Sequence, residues 1–235
     1  MSIIGDAIML GGGGGGFATA TLVAPKGSTI SWTGEDTGSV SLSSNETYTI
    51  VSLAKGIYVF TNTLTYTVRG ASHTDNIWTR TVNLTGDMTI NVYPDDAIWW
   101  YGLLNEQFVA AEGSTVSMGT DGVFVTAVNS QLHTALRSAN VFPVGGKTAL
   151  KARVALEGNI QTDVPAQTAP RFWDTNSGSW TSVSSNVSRT TVFTNVSEYT
   201  AIIGNTGDYS IGFRAGRSSG DYYNKYIYLY AIWLE

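Results

Sequence analysis

The chain has 235 residues, 43% hydrophobic and only 13% charged, with a formal charge of -5 and no cysteine. This balance offers no basic field for phosphate backbones or anionic lipid, so neither nucleic acid nor a membrane surface is an expected partner. Without cysteine there are no disulfides or thiolate metal sites, and no apolar run approaches the roughly 20 residues of a bilayer span, so packing must hold one large or two small domains together.

The first sixteen residues, MSIIGDAIMLGGGGGG, join an apolar tip to an unbroken glycine run, Gly11 to Gly16. Asp6 is the one charged side chain there, so the positively charged start of a secretory signal is missing and export by the general route is not expected. Ile3, Ile4, Ile8, Met9 and Leu10 are too few to form a core but enough to fill a groove on a partner. Residues 1–16 therefore read as an attachment segment on a flexible leash, which fully stretched would reach roughly 50 Å.

From Phe17 the apolar pattern has period two, as in a half-buried strand. Ala18, Ala20, Leu22 and Ala24 share one face; after the turn Pro25–Gly27, Ile30 and Trp32 share another. Val40 with Leu42, Tyr48 with Ile50, Tyr58 with Phe60, the trio Leu64, Tyr66 and Val68, the run Trp78 to Leu84, and Met88, Ile90 and Val92 add further strands. About seven short strands in roughly 80 residues is the density of an immunoglobulin-like sandwich. Pro94, Asp95 and Asp96 close this first module, residues 17–95.

Residues 96–235 form a second set of strands. Val123, Val125 and Ala127 alternate; Leu150, Ala152, Val154 and Leu156 oppose Lys151, Arg153 and Glu157; Tyr199, Ala201 and Ile203 repeat the pattern, as do Tyr209, Ile211, Phe213 and Ala215. In the last strand, KYIYLYAIWLE, simple alternation puts Ile227, Leu229, Ala231 and Trp233 on one face and Tyr226, Tyr228 and Tyr230 on the other. Neither face suits plain water, so burial in a core or an interface is the favoured reading.

Catalytic constellations are poorly supplied. Gly11 to Gly16 fits the letters of a dinucleotide fingerprint, but a strand follows where the chemistry needs a helix N-terminus. Gly145, Gly146, Lys147 and Thr148 look like the end of a phosphate loop, yet Val141 stands where the first glycine belongs, and a turn is the better reading. His73 and His133 are the two histidines, and neither has a second ligand at metal spacing. Glu35 with Asp36 and Asp95 with Asp96 are neighbours on turns, where carboxylates diverge instead of flanking a bond. No enzymatic activity is expected.

Aromatic residues are the richest feature: Trp99, Trp100 and Tyr101, then Trp173, Trp180, Tyr222 and Tyr223. Trp173 and Trp180 lie in RFWDTNSGSWTS beside Asp174 and Asn176, a loop-like composition in which exposed rings can stack on the apolar faces of sugars. Trp173, Trp180, Asp174, Asn176, Tyr222 and Tyr223 are the candidate glycan or partner site. No cofactor is expected; Asp174, Asp208 and Asp221 could hold a structural calcium ion, although their spacing does not demand one.

The segments APKGSTISWTG, ETYTIVSLAKGIYVFT and RTVNLTGDMTINV, with Gly56, Ile57 and Tyr58 as a Gly-x-Tyr strand, resemble prealbumin-like or B-type Ig-like modules of bacterial surface and phage proteins. The segments GGKTALKARVALEGN, SEYTAIIGNTGDYSIGFRAG and YIYLYAIWLE resemble jelly-roll domains of the carbohydrate-binding-module type. These resemblances imply an all-β chain: an Ig-like β-sandwich followed by a jelly-roll-like β-sandwich, behind a glycine-linked anchor. The layout resembles virion appendages of bacteriophages, of the head-fibre, capsid-decoration or tail-fibre kind. That implies a capsid or tail partner for the N-terminal segment, display on the virion surface after lysis, host-surface polysaccharide as a ligand, and the homotrimer common among fibres. The alternative is a free-standing carbohydrate-binding or adhesive module of a bacterial surface protein.

Overall fold

The computed structural model describes residues 16–68, 70–111, 114–118, 123–126, 133–157, 169–181, 196–204, 206–216 and 226–235. Every regular element among them is a β-strand, so the chain is all-β, as its composition indicates. The described residues fall into two compact units: residues 16–64 with Asp75–Tyr93, and Thr65–Thr74 with Pro94–Glu235.

The first unit is built on β1 (Phe17–Val23), β2 (Thr29–Thr33), β3 (Gly38–Ser41), β4 (Tyr48–Ala54), β5 (Gly56–Val68), β6 (Ala71–Leu84) and β7 (Met88–Asn91), the far ends of β5 and β6 belonging to the second unit. One sheet runs β4-β1-β7, with β1 antiparallel to β4 and parallel to β7; the other runs β3-β2-β5-β6. Ala18, Ala20 and Leu22 from the first sheet and Ile30, Trp32, Tyr58 and Phe60 from the second share one core. Alternation thus does what the pattern requires, burying one side chain in two.

Two details depart from the sequence reading. β5 and β6 have 13 and 14 residues and are not short, because alternation continues through a polar stretch. Asn62 occupies an inward position there and donates its Nδ2–H to the Val92 carbonyl at 3.1 Å, while its shielded Oδ1 meets no donor among the described residues. Tyr48 and Ile50 share a face, but it is the outward one, 59% and 61% exposed, while Val51 and Leu53 on β4 pack against or within the core.

In the second unit the strands are β8 (Ala97–Trp100), β9 (Phe108–Ala111), β10 (Thr115–Met118), β11 (Val123–Thr126), β12 (His133–Ser138), β13 (Phe142–Pro143), β14 (Ala149–Glu157), β15 (Ala169–Asp174), β16 (Ser179–Trp180), β17 (Ser197–Ile202), β18 (Asp208–Gly216) and β19 (Tyr226–Leu234). They make two six-stranded antiparallel sheets, β10-β11-β19-β14-β17 with β8 on β19, and β16-β15-β18-β12-β9 with β13 on β18. Both sheets contribute to one sandwich core, including Leu150, Val154, Leu156, Ile227 and Leu229 from the first and Leu136, Phe172, Ile211 and Phe213 from the second.

β19 corrects the simple alternation expected of it. Its register against β14 slips between Arg153 and Val154, which pair with Ala231 and Leu229, so Tyr230 is an extra residue. Such a bulge reverses the phase of everything beyond it. Ile227 and Leu229 face the sandwich core, but past the bulge Ile232 and Leu234 take the core positions, not Ala231 and Trp233. Trp233 instead meets Trp100 edge-on at 5.4 Å, and Tyr230 packs with Tyr101 and Tyr66 at 5.9 and 5.1 Å and donates its hydroxyl to the Thr67 carbonyl at 2.8 Å. Both faces of this strand are therefore buried within the unit.

Candidate functional site

Within RFWDTNSGSWTS, residues 173–180 form a hairpin. β15 and β16 pair with Trp173 opposite Trp180 and Asp174 opposite Ser179, leaving residues 175–178 as the turn. Asp174 organises that turn: its Oδ1 accepts the Asn176 backbone N–H at 2.8 Å and its carbonyl accepts the Gly178 N–H at 2.9 Å, while Gly178 takes the left-handed φ of 63° that such a turn needs. These local donors hold the Asp174 carboxyl below the usual carboxylate range, with the Asn176 N–H the largest contributor. Asp174 and Asn176 thus shape the loop that presents the two tryptophans.

The tryptophans are half-buried, with ring centroids 5.1 Å apart and planes at 82°, an edge-to-face pair. Arg137 on β12 lays its guanidinium 5.3 Å from the Trp173 ring centroid, and its Nη1 makes long contacts of 3.4 Å to the Ser138 carbonyl and the Ser210 hydroxyl. Gly212 on β18 makes room for this cluster. A Cβ there would overlap the Leu136 carbonyl oxygen and press on the edge of the Trp180 indole. The Trp180 Nε1 is shielded and meets no acceptor among the described residues.

Register places the remaining side chains of this face. Arg171 on β15 and Arg137 on β12 both lie opposite Gly212, and Arg214 lies between Ala169 and Ala135. Since Leu136, Phe172, Ile211 and Phe213 point into the sandwich core, Arg137, Arg171, Trp173, Ser210 and Arg214 lie on the opposite face of the sheet, where Arg171 and Ser210 are themselves buried. The three arginines carried no signal as a group in the sequence, because only strand pairing brings positions 137, 171 and 214 together.

Other sequence candidates are placed differently. Trp99 is 4% exposed in the sandwich core and Trp100 and Tyr101 are 0% and 3% exposed, so these rings are packing residues. His73 stacks on Tyr66 at 6.0 Å, and the side chain of His133 lies outside what is described. Asp36 accepts the Ala54 N–H at 2.9 Å and the Tyr58 hydroxyl at 3.2 Å, and Asp96 pairs with Lys147, so both carboxylates serve the fold. Lys147 also closes a turn by donating its N–H to the Val144 carbonyl. Among the described residues no group of three or more His, Cys, Asp or Glu side chains gathers as a metal site. Ile3, Ile4, Ile8, Met9, Leu10, Tyr222, Tyr223 and Asp221 lie outside the described residues.

The fold and this face define an all-β protein carrying an outward patch of paired indoles and guanidinium groups. No family model matches the chain, and no curated protein matches it. Among solved structures, a single-substitution variant of a family 29 carbohydrate-binding module is similar over 59% of this chain and 89% of its own, at 10% identity and a TM-score of 0.39. A structure described as showing the promiscuous specificity of carbohydrate-binding modules from the β-sandwich superfamily covers 93% of this chain and 98% of its own, at 12% identity and a TM-score of 0.34. A family 43 arabinoxylan arabinofuranohydrolase from Bacillus subtilis, in complex with cellotetraose, covers 92% of this chain and 53% of its own, at 12% identity and a TM-score of 0.32.

Proposed function

We propose that this is a non-catalytic glycan-binding protein whose second unit takes sugar at the β15–β16 hairpin. The observation that supports the reading is the half-buried Trp173–Trp180 pair held by Arg137 on an outward sheet face. Sugars present both apolar C–H faces and hydroxyls, and this patch offers indole surface together with guanidinium, hydroxyl and turn amide groups. Isothermal titration against a glycan panel, repeated with Trp173→Ala and Trp180→Ala together, tests it. Binding that disappears in the double variant supports the assignment; equal binding, or none in either protein, rejects it.

The start of the chain supports a second element of the proposal. An apolar tip on a run of glycines suits a segment that docks elsewhere while the β-units are displayed, as on a bacteriophage virion, with a capsid or tail protein as partner and a trimer as one assembly. Removing residues 1–16 separates this from a free-standing adhesive module. Loss of particle incorporation with unchanged sugar binding supports the virion role; a full-length chain that never associates with particles rejects it.

A further inference from the structure

We infer that β4 is a docking edge for the same strand of a second copy, paired antiparallel about Ile50 so that the β4-β1-β7 sheets of two chains join edge to edge. The inference concerns the first unit and is independent of the glycan-binding reading. β4 ends its sheet, with β1 as its partner among the described residues. One step beyond each end of that ladder, the Lys55 N–H donates to the Gly16 carbonyl at 3.1 Å and the Ala24 N–H donates to the Thr47 carbonyl at 3.0 Å. Antiparallel alternation then turns the backbone groups of Thr49, Val51 and Leu53 toward β1 and those of Tyr48, Ile50, Ser52 and Ala54 toward the open side. Ala54 is capped there: its N–H donates to Asp36 at 2.9 Å and its carbonyl accepts the Tyr58 hydroxyl at 2.9 Å. The N–H and C=O groups of Tyr48, Ile50 and Ser52 meet no partner among the described residues, and all three side chains are exposed.

An unpaired edge is a template for another strand, and proteins ordinarily guard it with lysine, proline or a bulge. β4, YTIVSLA, has no charge and no proline, and its register with β1 runs without a shift. A second β4 satisfies this edge completely in one register. With Ile50 opposite its own copy, Tyr48 falls opposite Ser52 and Ser52 opposite Tyr48, and each of these pairs exchanges two backbone bonds. Every open group of both edges is then used. The pairing stops where Ala54 is capped and where Glu46, which would face it, gives its N–H to the Ser43 carbonyl. On the outward face Ile50 packs against Ile50, and each Tyr48 stands across from the small Ser52. Charge sets the direction. Glu46 and Lys55 bracket the strand, and antiparallel pairing brings the Glu46 of one chain to the end that carries the Lys55 of the other, whereas a parallel pair gathers like charges.

Analytical ultracentrifugation of the full chain over a concentration series is expected to show a monomer–dimer equilibrium in the micromolar to millimolar range, as suits a contact smaller than a standard interface. Ser52→Pro removes one edge N–H and leaves the β1 ladder intact, and Ile50→Lys sets two like charges across the two-fold axis; each should weaken the dimer about tenfold or more. The chain has no cysteine, so a single introduced one can form a disulfide only between chains. Ile50→Cys should cross-link under mild oxidation, since directly paired antiparallel residues sit about 5.5 Å apart at Cα, within disulfide reach. Tyr48→Cys should not, because the two copies of position 48 lie four residues apart along the ribbon, roughly 14 Å. The measurement on the unaltered chain stands even where a variant fails to fold. A parent that stays monomeric up to about 1 mM overturns the inference. So does a dimer that survives both Ser52→Pro and Ile50→Lys, equal cross-linking at the two positions, or a trimer, which an isologous contact cannot build. A parent that dimerises only once residues 1–16 are removed overturns it as well, and gives the edge to the chain's own start.

Discussion

Trp173 and Trp180 meet edge to face across the β15–β16 hairpin, 5.1 Å between ring centroids, and the Trp180 indole closes over Gly212 of β18. One ring therefore both completes the exposed face and roofs a gap in the sheet. Edge-to-face aromatic pairs contribute about 0.5 to 1.5 kcal/mol beyond their burial. Trp180→Ala is expected to destabilise the protein by roughly 1 to 3 kcal/mol, since buried indole area goes with the pair. The same change is expected to abolish sugar binding, whereas Trp180→Phe keeps a ring and part of the affinity. Urea unfolding beside titration separates the two effects, and a Trp180→Ala protein with unchanged affinity contradicts the site.

Gly212 supplies the second prediction. A methyl group there would overlap the Leu136 carbonyl oxygen of the neighbouring strand, and backbone cannot rotate away as a flexible side chain can. Gly212→Ala should cost about 2 kcal/mol or more, at the upper end of overpacking effects. Gly145 is the matched control: it is exposed and an added Cβ would meet nothing within 4 Å, so Gly145→Ala should stay within about 0.5 kcal/mol of the parent. Comparable melting temperatures for the two variants contradict the close approach described for Gly212.

The all-β class and most strands were legible because period-two alternation is a local property. Ala18, Ala20 and Leu22, or Ile211, Phe213 and Ala215, declare their shared face without help from the rest of the chain, and all are buried. β19 was legible only as far as Leu229. A bulge depends on the partner strand, so nothing in YIYLYAIWLE announces that Trp233 leaves the core side and Ile232 replaces it. Composition marked RFWDTNSGSWTS as a loop, whereas within it Trp173 with Trp180 and Asp174 with Ser179 are paired strand residues. Arg137, Arg171 and Arg214 escaped notice for the same reason as the bulge: residues 77 positions apart become neighbours only through pairing, and alone each looks like an ordinary surface cation.

Asp174 carries the third prediction. Its carboxyl is held low by the Asn176 N–H and the Ser177 side chain, so it prefers the charged form in the folded hairpin. The contribution of these bonds is present above the ordinary carboxylate range and is lost as pH falls through the lowered folded value. Carboxyl chemical shifts should show Asp174 titrating below an unstructured aspartate. Asp174→Ala should loosen the turn and weaken sugar binding with little change in global unfolding, because the group is exposed. A titration at or above the ordinary value contradicts the turn as described.

Tyr58 bears on the first unit's response to alkali. Burial, reinforced by the neighbouring Asp36 carboxylate, pushes its phenol up to about 12, and the hydroxyl donates to the Ala54 carbonyl at 2.9 Å and to Asp36 at 3.2 Å. Below pH 10 the phenol is protonated whether the chain is folded or not, and its contribution to stability is complete. As pH rises from about 10 toward 12 the unfolded chain releases this proton while the folded one keeps it, so stability declines by up to about 1.4 kcal/mol per pH unit from this group. Other tyrosines also ionise in that window, which makes the difference between parent and Tyr58→Phe the informative quantity. The variant should be less stable by roughly 1 to 2 kcal/mol near neutrality, having lost both hydrogen bonds, and should show a shallower alkaline decline. Parallel curves in urea unfolding from neutral pH to pH 11 refute the assignment, since they mean that the Tyr58 proton is no harder to remove in the fold than in the open chain.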